Sequence, residues 1–389
     1  MLRIAGVVIV LSGIVVVATL GILGAVPALR EGVTDDWIAA LWPVIPGYAL
    51  LLVLVSWYQS NQRVGIAEVM PGVADGARCL ALGLIYIAGS GAAAVPAGVA
   101  LSLLLPIVIL VAMAAGRSDP GPSDLRLSDA SAGLKFLLMR LSTMGLRQID
   151  LIVMGFLVGG SATAAYAVAS RIGDLAQLGQ QAFVQTYAPR VRQHLVKGDA
   201  AAIVREYNAT RALSFLLTLG IAFVLVLGGR TALALFGDFS QGYPVLLLVL
   251  AGHLVTASFG GHDVHLSMTD HLRAAMVNRV VALITFAVLL ALLVPPLEGI
   301  GAALSYVGAA TLHGVTGAVL LRRQSEARLL HASGLVAGLI GSGGLVLVAL
   351  TGVSPLFGLT ALLCAAAVVM LGEAPLLVRA LGLHARFGR

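Results

Sequence analysis

Residues 134–158 read LKFLLMRLSTMGLRQIDLIVMGFLV, and residues 161–187, after a Gly-Gly pair, read SATAAYAVASRIGDLAQLGQQAFVQTY. A helix that crosses about 30 Å of hydrocarbon needs about 20 mostly apolar residues, and both stretches are long enough. Neither stretch alternates polar and apolar residues as a membrane strand does. Because the connection is so short, the two stretches predict an antiparallel pair of helices within a membrane.

The composition of the whole chain agrees with this prediction. The chain has 389 residues, of which 59% are hydrophobic and 11% are charged. An average soluble domain is about 45–50% apolar and about 25% charged. So few charges cannot coat a water-soluble globule of this size. The composition therefore excludes a soluble single-core enzyme, a disordered chain and a disulfide scaffold, and it indicates an integral membrane protein.

Twelve stretches of the sequence are long and apolar enough to span a membrane. The fold class predicted is thus an all-α integral membrane protein with about twelve transmembrane helices. In order, the stretches are 4–26, 37–57, 77–93, 95–116, 134–158, 161–187, 209–228, 242–262, 274–295, 300–321, 332–351 and 355–378.

The distribution of basic residues sets the topology. With the N-terminus inside, 19 of the 24 lysines and arginines fall on inside loops or ends, among them Arg211 and Arg279, and two fall outside. This bias follows the positive-inside rule and predicts that both termini are cytoplasmic. Because the basic residues are scattered over many loops, they do not form a nucleic-acid surface.

A polar segment predicts the division into two bundles. Residues 117–133 read RSDPGPSDLRLSDASAG, a composition typical of a linker. We expect an N-terminal lobe of about four helices over 1–116, a cytoplasmic linker over 117–133, and a C-terminal lobe of about eight helices over 134–389.

Enzyme motifs are absent from the sequence. Neither Lys135 nor Lys197 follows a glycine, so there is no Gly-Lys-Ser/Thr phosphate loop, and HExxH and CxxC are also missing. The sequence therefore predicts no catalytic residue, no cofactor and no metal ligand. Transport is the function that remains.

Charged residues within membrane helices are costly, so they are the best functional signal in this sequence. Arg140, Arg147 and Asp150 lie along one face of the 134–158 helix, and Arg171 and Asp174 lie three apart in the next helix. At ~1.5 Å per residue, Arg147 lies about 20 Å from the inner end of its helix and Arg171 about 15 Å from the outer end. We expect the charges to meet near the middle of the membrane.

Two interpretations of these charges stay open. Arg147 with Asp150, and Arg171 with Asp174, could be structural ion pairs that hold two helices together. Arg140 has no acidic residue within four positions, so the set carries one surplus positive charge. This surplus favours a cavity for an anion, and the planar guanidinium suits a diphosphate. In that case Arg147, Arg171 and Arg140 bind substrate, while Asp150 and Asp174 orient them or carry a coupling proton.

Histidines give a weaker signal. His253 and His313 lie within predicted helices and are more typical of hydrogen-bonded packing residues than of a proton relay. His262, His265 and His271 cluster at a predicted inner boundary, but their spacing matches no metal site.

Two further expectations concern the inner membrane surface. Glu373 lies near the inner end of the last predicted helix, where it is expected to reach the headgroups. Residues 189–213 combine apolar residues at helical spacing with basic ones, which predicts an amphipathic helix on the inner leaflet.

Four stretches resemble the polysaccharide transporters, the oligosaccharide flippases of the MATE-like superfamily. They cover about residues 130–325 and are LRQIDLIVMGFLVGGSATAAYAVASRIGDL, PRVRQHLVKGD, ALALFGDFSQGYPVLLLVLAG and GIGAALSYVGAATLHGVTGAVLLRR. The resemblance implies a two-lobed bundle that moves a polyprenyl-diphosphate-linked oligosaccharide across the bacterial inner membrane. Implied partners are this lipid, the bilayer and polysaccharide assembly proteins. Family members usually have six helices before the central loop, so this chain would lack the first two.

Two other functions stay open from the sequence. One is an ion-coupled small-molecule exporter of the same superfamily, for which unpaired carboxylates and aromatic residues would be more typical. The other is a non-transporting scaffold, which an incomplete N-terminal lobe would suit.

Overall fold

The computed structural model describes residues 64–89, 94–115, 148–237, 239–269, 271–324 and 332–374, with a few residues between 44 and 54. Every regular element in these ranges is helical, as predicted. The chain divides into two compact units, Met1–Asp124 and Leu125–Arg389. The division falls within residues 117–133, the segment predicted as a linker, which lies outside the described residues. The predicted numbers of helices in the two lobes stay predictions.

The first unit contains three described helices: α1 (Val64–Ile87), α2 (Val95–Ser102) and α3 (Leu104–Ala115). Helix α1 packs against α2 and α3. The hydrophobic core among the described residues of this unit consists of Leu51, Leu54, Met70, Ala74, Leu103 and Leu110. The sequence places the start of α1 at residue 77, whereas the helix begins at Val64. The predictions for residues 4–26 and 37–57 fall wholly or mostly outside the described residues.

The described part of the second unit, from residue 148, opens with a hairpin followed by two long helices. The first four described helices are α4 (Gln148–Leu157), α5 (Gly160–Gly173), α6 (Gln177–Lys197) and α7 (Ala200–Leu235). Helices α4 and α5 join at Gly159, whose φ of 95° suits glycine. A 3-10 turn, Asp174–Ala176, joins α5 to α6, so the predicted helix over 161–187 continues to Lys197.

The predicted amphipathic surface helix over 189–213 is wrong. Gly198, with a left-handed φ of 68°, ends α6, and the Asp199 side chain caps α7 by accepting a 2.9 Å hydrogen bond from the backbone of Ala202. The segment is therefore the end of one helix and the beginning of the next. The Gly-Asp pair accounts for this corner, because glycine ends a helix and aspartate begins one.

The rest of the second unit surrounds one buried helix. Five more helices follow: α8 (Tyr243–Phe259), α9 (His262–Met268), α10 (Leu272–Gln324), α11 (Ala332–Thr351) and α12 (Pro355–Gly372). Helix α8 is apolar on all sides and packs against α5, α7, α10 and α11, as expected for a helix in the middle of a bundle. Six described segments are long and apolar enough to span a membrane. The count of twelve stays a prediction.

Helix α10 is two helices in one element. Its backbone breaks at Glu298, where φ is 49° and ψ is −126°. The break separates an N-terminal arm from a C-terminal arm, which correspond to the predicted helices over 274–295 and 300–321. Both arms contribute side chains to the site described below.

Candidate functional site

A cavity of about 180 Å³ lies within the second unit. Its wall comes from α4, α5, the 3-10 turn, the start of α6, α8 and both arms of α10. The polar and charged lining residues are Asp150, Tyr166, Ser170, Arg171, Asp174, Gln177, His253, Thr256, Arg279, Tyr306 and His313.

Helical spacing explains why single faces supply this lining. Tyr166 and Ser170 are four apart on α5, and Tyr306 and His313 are seven apart on the C-terminal arm of α10. Residues at these spacings share one face of a helix. Local sequence therefore determines which side chains of a helix line the cavity together, and packing around α8 brings the faces towards each other.

Arg171 links the two helices of the α4–α5 hairpin at the end that lies away from the Gly159 turn. Its guanidinium donates to Asp174 Oδ2 at 3.2 Å and to Gln148 Oε1, on α4, at 3.1 Å. Its side chain is 50% exposed, so the ion pair leaves much of the guanidinium accessible. The pairing of Arg171 with Asp174 follows the prediction from their spacing. Its accessibility is compatible with ligand contact as well.

Asp150 is held by a neighbouring helix. Tyr166 Oη donates to Asp150 Oδ2 at 2.6 Å, and the backbone of Leu151 donates to Asp150 Oδ1 at 2.8 Å. Arg140 and Arg147 lie outside the described residues, so the predicted pair of Arg147 with Asp150 stays a prediction. The described lining residues include two arginines and two aspartates, so the predicted surplus of positive charge depends on Arg140 and Arg147.

His253 extends the polar network across α8. Its Nε2 lies 3.2 Å from Asp174 Oδ1, and its Nδ1 lies 3.1 Å from Tyr306 Oη. Because a carboxylate accepts hydrogen bonds, Nε2–H donates to Asp174, and Nδ1 shares the second hydrogen bond with the hydroxyl of Tyr306. The chain of contacts from Gln148 to Tyr306 links α4, α5, α8 and α10.

A second network centres on Asp263, which the sequence analysis did not single out. Asp263 Oδ2 accepts hydrogen bonds from Arg279 Nε at 3.1 Å, from Arg279 Nη2, and from His313 Nε2 at 3.0 Å. Arg279 lies in the N-terminal arm of α10, within the predicted helix over 274–295, and it lines the cavity, which the charge bias does not indicate. The signal in the sequence that could have indicated Asp263 is its position next to His262 at a predicted helix boundary.

Two expectations about the inner surface are corrected. Glu373 does not reach the headgroups, and Arg211 is not a surface residue. Arg211 Nη2 donates to Glu373 Oε1 at 2.6 Å, and both side chains are fully buried. The pair joins α7 to the residue that follows α12, and the opposite charges compensate each other away from water. Arg211 Nε and Nη1 and Glu373 Oε2 make no hydrogen bond within the described residues.

Comparison with known proteins shows the fold. No protein-family profile matches the sequence, and no curated protein matches it. Among solved structures, the lipid II flippase MurJ in an inward closed conformation has a TM-score of 0.66 at 13% identity, over 97% of this chain and 84% of that chain. A MATE transporter of Vibrio cholerae has a TM-score of 0.57 at 17% identity, over 82% of this chain and 79% of that chain. The chain is therefore a multi-pass helical membrane protein, as the sequence predicts, and its fold is similar to the folds of these two proteins.

Proposed function

We propose that this protein is a flippase for a lipid-diphosphate-linked oligosaccharide in the bacterial inner membrane, with both termini cytoplasmic. The observation that carries the proposal is the cavity in the second unit, where the half-exposed guanidinium of Arg171 lies within a polar wall. A planar guanidinium can donate two hydrogen bonds to a diphosphate. The fold shared with MurJ and a MATE transporter supports transport rather than catalysis.

The oligosaccharide would cross within a polar path while the lipid tail stays in the bilayer. Tyr166, Gln177, Thr256 and Tyr306 offer hydroxyl and amide groups along the cavity wall. Such groups suit the hydroxyls of a sugar. Arg147 is proposed to contact the diphosphate together with Arg171, and Arg140, nearer the inner surface, is proposed to recruit the headgroup. Polysaccharide assembly proteins are proposed partners.

A flipping assay tests the proposal. The protein is reconstituted in vesicles that contain a polyprenyl-diphosphate saccharide with a fluorophore on the sugar, and a membrane-impermeant reductant is added. Protein-free vesicles should lose only the outer-leaflet fluorescence, whereas wild-type vesicles should lose the fluorescence of both leaflets. Equal losses would contradict the flippase proposal.

Variants of Arg171 test the site. Loss of charge-assisted hydrogen bonds costs ~1.5–3 kcal/mol, so Arg171→Gln should slow flipping about 10- to 100-fold. Arg171→Lys should also slow it, because an ammonium lacks the planar fork. The matched control is Arg190→Gln, which removes an exposed arginine paired with Glu206 at 3.4 Å and should flip like wild type. Normal flipping by Arg171→Gln would leave Arg171 with a structural role.

An ion-coupled exporter of small molecules is the second candidate. It is favoured by Asp150, Asp174 and His253, because titratable groups in one cavity could carry a coupling proton. Proton uptake by vesicles on addition of small organic cations, without movement of the labelled lipid, would favour this candidate instead.

A further inference from the structure

His262, Asp263 and His313 bring three metal-ligating groups together next to the cavity. His262 and Asp263 begin α9, and His313 lies on the C-terminal arm of α10. One ligand atom from each lies within 4.8 Å of the others. His262 Nε2 is 3.5 Å from Asp263 Oδ1, and the two imidazole rings have centroids 4.8 Å apart. Zinc-to-ligand distances are ~2.0–2.2 Å, so small side-chain adjustments would place all three groups around one ion.

Several polar atoms of this cluster are buried but make no hydrogen bond within the described residues. His262 is 3% exposed, and its ring nitrogens make no hydrogen bond of ordinary distance and angle within the described residues. Their polar neighbours are Asp263 Oδ1, at 3.5 Å from Nε2, and the backbone of Gly260. Asp263 Oδ1 and His313 Nδ1 also make no hydrogen bond there. Buried polar atoms are nearly always satisfied, and leaving them unpaired is costly. A bound cation would take one ring nitrogen of His262 together with Asp263 Oδ1.

Neighbouring residues hold Asp263 and His262 in position, as residues around the ligands of a metal site usually do. Arg279 donates two hydrogen bonds to Asp263 Oδ2, which holds the carboxylate and leaves Oδ1 facing His262. Gly317 lets the His262 ring lie against α10, because a Cβ there would come 2.5 Å from His262 Nε2. Hydrogen bonds to a ligating carboxylate, such as those from Arg279 to Asp263, orient the ligand and contribute to the affinity for the metal.

We propose that His262, Asp263 and His313 bind one divalent transition-metal ion of the Zn²⁺ type. Two imidazoles and one carboxylate suit zinc, nickel or cobalt rather than magnesium or calcium, which take oxygen ligands. The ion would join α9 to the C-terminal arm of α10, and Arg279 would join the N-terminal arm. Three protein ligands leave one position open on the ion, and His313 lines the cavity. The site stands on its own geometry and does not depend on the transported substrate.

Metal titration of the purified full-length protein tests the site. The protein carries a tag without histidine, is stripped by a chelator, and is titrated with Co²⁺, whose visible absorption reports imidazole coordination. Zn²⁺ then displaces the Co²⁺. We expect one ion per chain for wild type, and binding weakened by about 100-fold or more in His262→Gln and in His313→Gln. Mg²⁺ should not compete.

His271→Gln is the matched control, because His271 lies between α9 and α10 and outside the cluster. It should bind Co²⁺ like wild type. His262 and His313 lie on different helices, so if one variant fails to fold, the other still tests the site. The proposal is overturned if metal-free wild-type protein binds no Co²⁺, or if a folded variant binds it unchanged. A chain that binds the ion and flips no lipid would contradict the proposed function and leave the metal site standing.

Discussion

At the scale of single residues, the buried pair of Arg211 and Glu373 holds distant parts of the second unit together. Ser333 Oγ, on α11, donates to Glu373 Oε1 at 2.8 Å, so the carboxylate contacts two elements besides its own. Gly334 leaves the space that Arg211 fills, because a Cβ there would lie 1.6 Å from Nη1. The packing of α7, α11 and α12 thus depends on one guanidinium in one position.

Removal of one partner of this pair should destabilise the protein strongly. Glu373→Gln leaves a buried, unpaired guanidinium, and such changes cost ~3–5 kcal/mol. Thermal unfolding in detergent measures the effect. The matched control is Glu206→Gln, whose partner Arg190 is 60% exposed, and exposed pairs contribute ~0–1 kcal/mol. If Glu373→Gln lost as little stability as Glu206→Gln, Arg211 would have another partner when Glu373 is neutral.

At the scale of elements, the break in α10 depends on an unusual backbone conformation. Glu298 has a φ of 49°, a backbone angle that residues other than glycine rarely adopt. The break turns the chain so that Arg279 on one arm and His313 on the other reach Asp263. A continuous straight helix could not bring these two residues to one carboxylate, because they are 34 positions apart in the sequence.

Glycine at position 298 should relieve this strain. Glycine adopts a positive φ without steric cost, so Glu298→Gly is expected to stabilise the protein by about 1 kcal/mol. Glu298→Ala is the control, because it removes the same carboxylate but keeps a Cβ. The unfolding temperatures of both variants are compared with that of wild type. An equal increase in both would assign the effect to the lost charge rather than to the backbone conformation.

The contact between α8 and α10 depends on Gly252, on α8. A Cβ at Gly252 would lie 2.4 Å from Tyr306 Cε1, and Tyr306 holds His253. Gly252→Ala should therefore displace Tyr306 and cost ~1–3 kcal/mol. Gly220→Ala on α7 is the matched control, because no atom lies within 4 Å of its Cβ, and it should be neutral or slightly stabilising. Unchanged stability of Gly252→Ala would show that Tyr306 moves at no cost.

At the scale of the whole molecule, the charge bias predicts the orientation in the membrane. Reporter fusions after Arg389 should be cytoplasmic, and fusions at Ser240, in the turn between α7 and α8, should be outside. The opposite pattern would overturn the predicted topology. It would also reverse the direction from which the cavity receives substrate.

The predictions from sequence were most accurate where a property is local. The helix predicted over residues 332–351 has the bounds Ala332–Thr351, and the pair Arg171 with Asp174 follows from a spacing of three residues. The prediction over 189–213 failed because an amphipathic pattern does not tell one surface helix from two helix ends that meet at Gly198 and Asp199. Hydrophobic periodicity is the same in both cases.

The sequence by itself determined the class of fold, because the length of an apolar stretch and its lack of charge decide whether it can cross a membrane. It also determined which side chains share a helix face. Only the tertiary structure decided the partners across helices, such as Glu373 for Arg211, 162 positions away, and His313 for Asp263, 50 positions away. The physical reason is that helical periodicity is set by neighbours within a few residues, whereas a buried charge is satisfied by whichever helix packs against it.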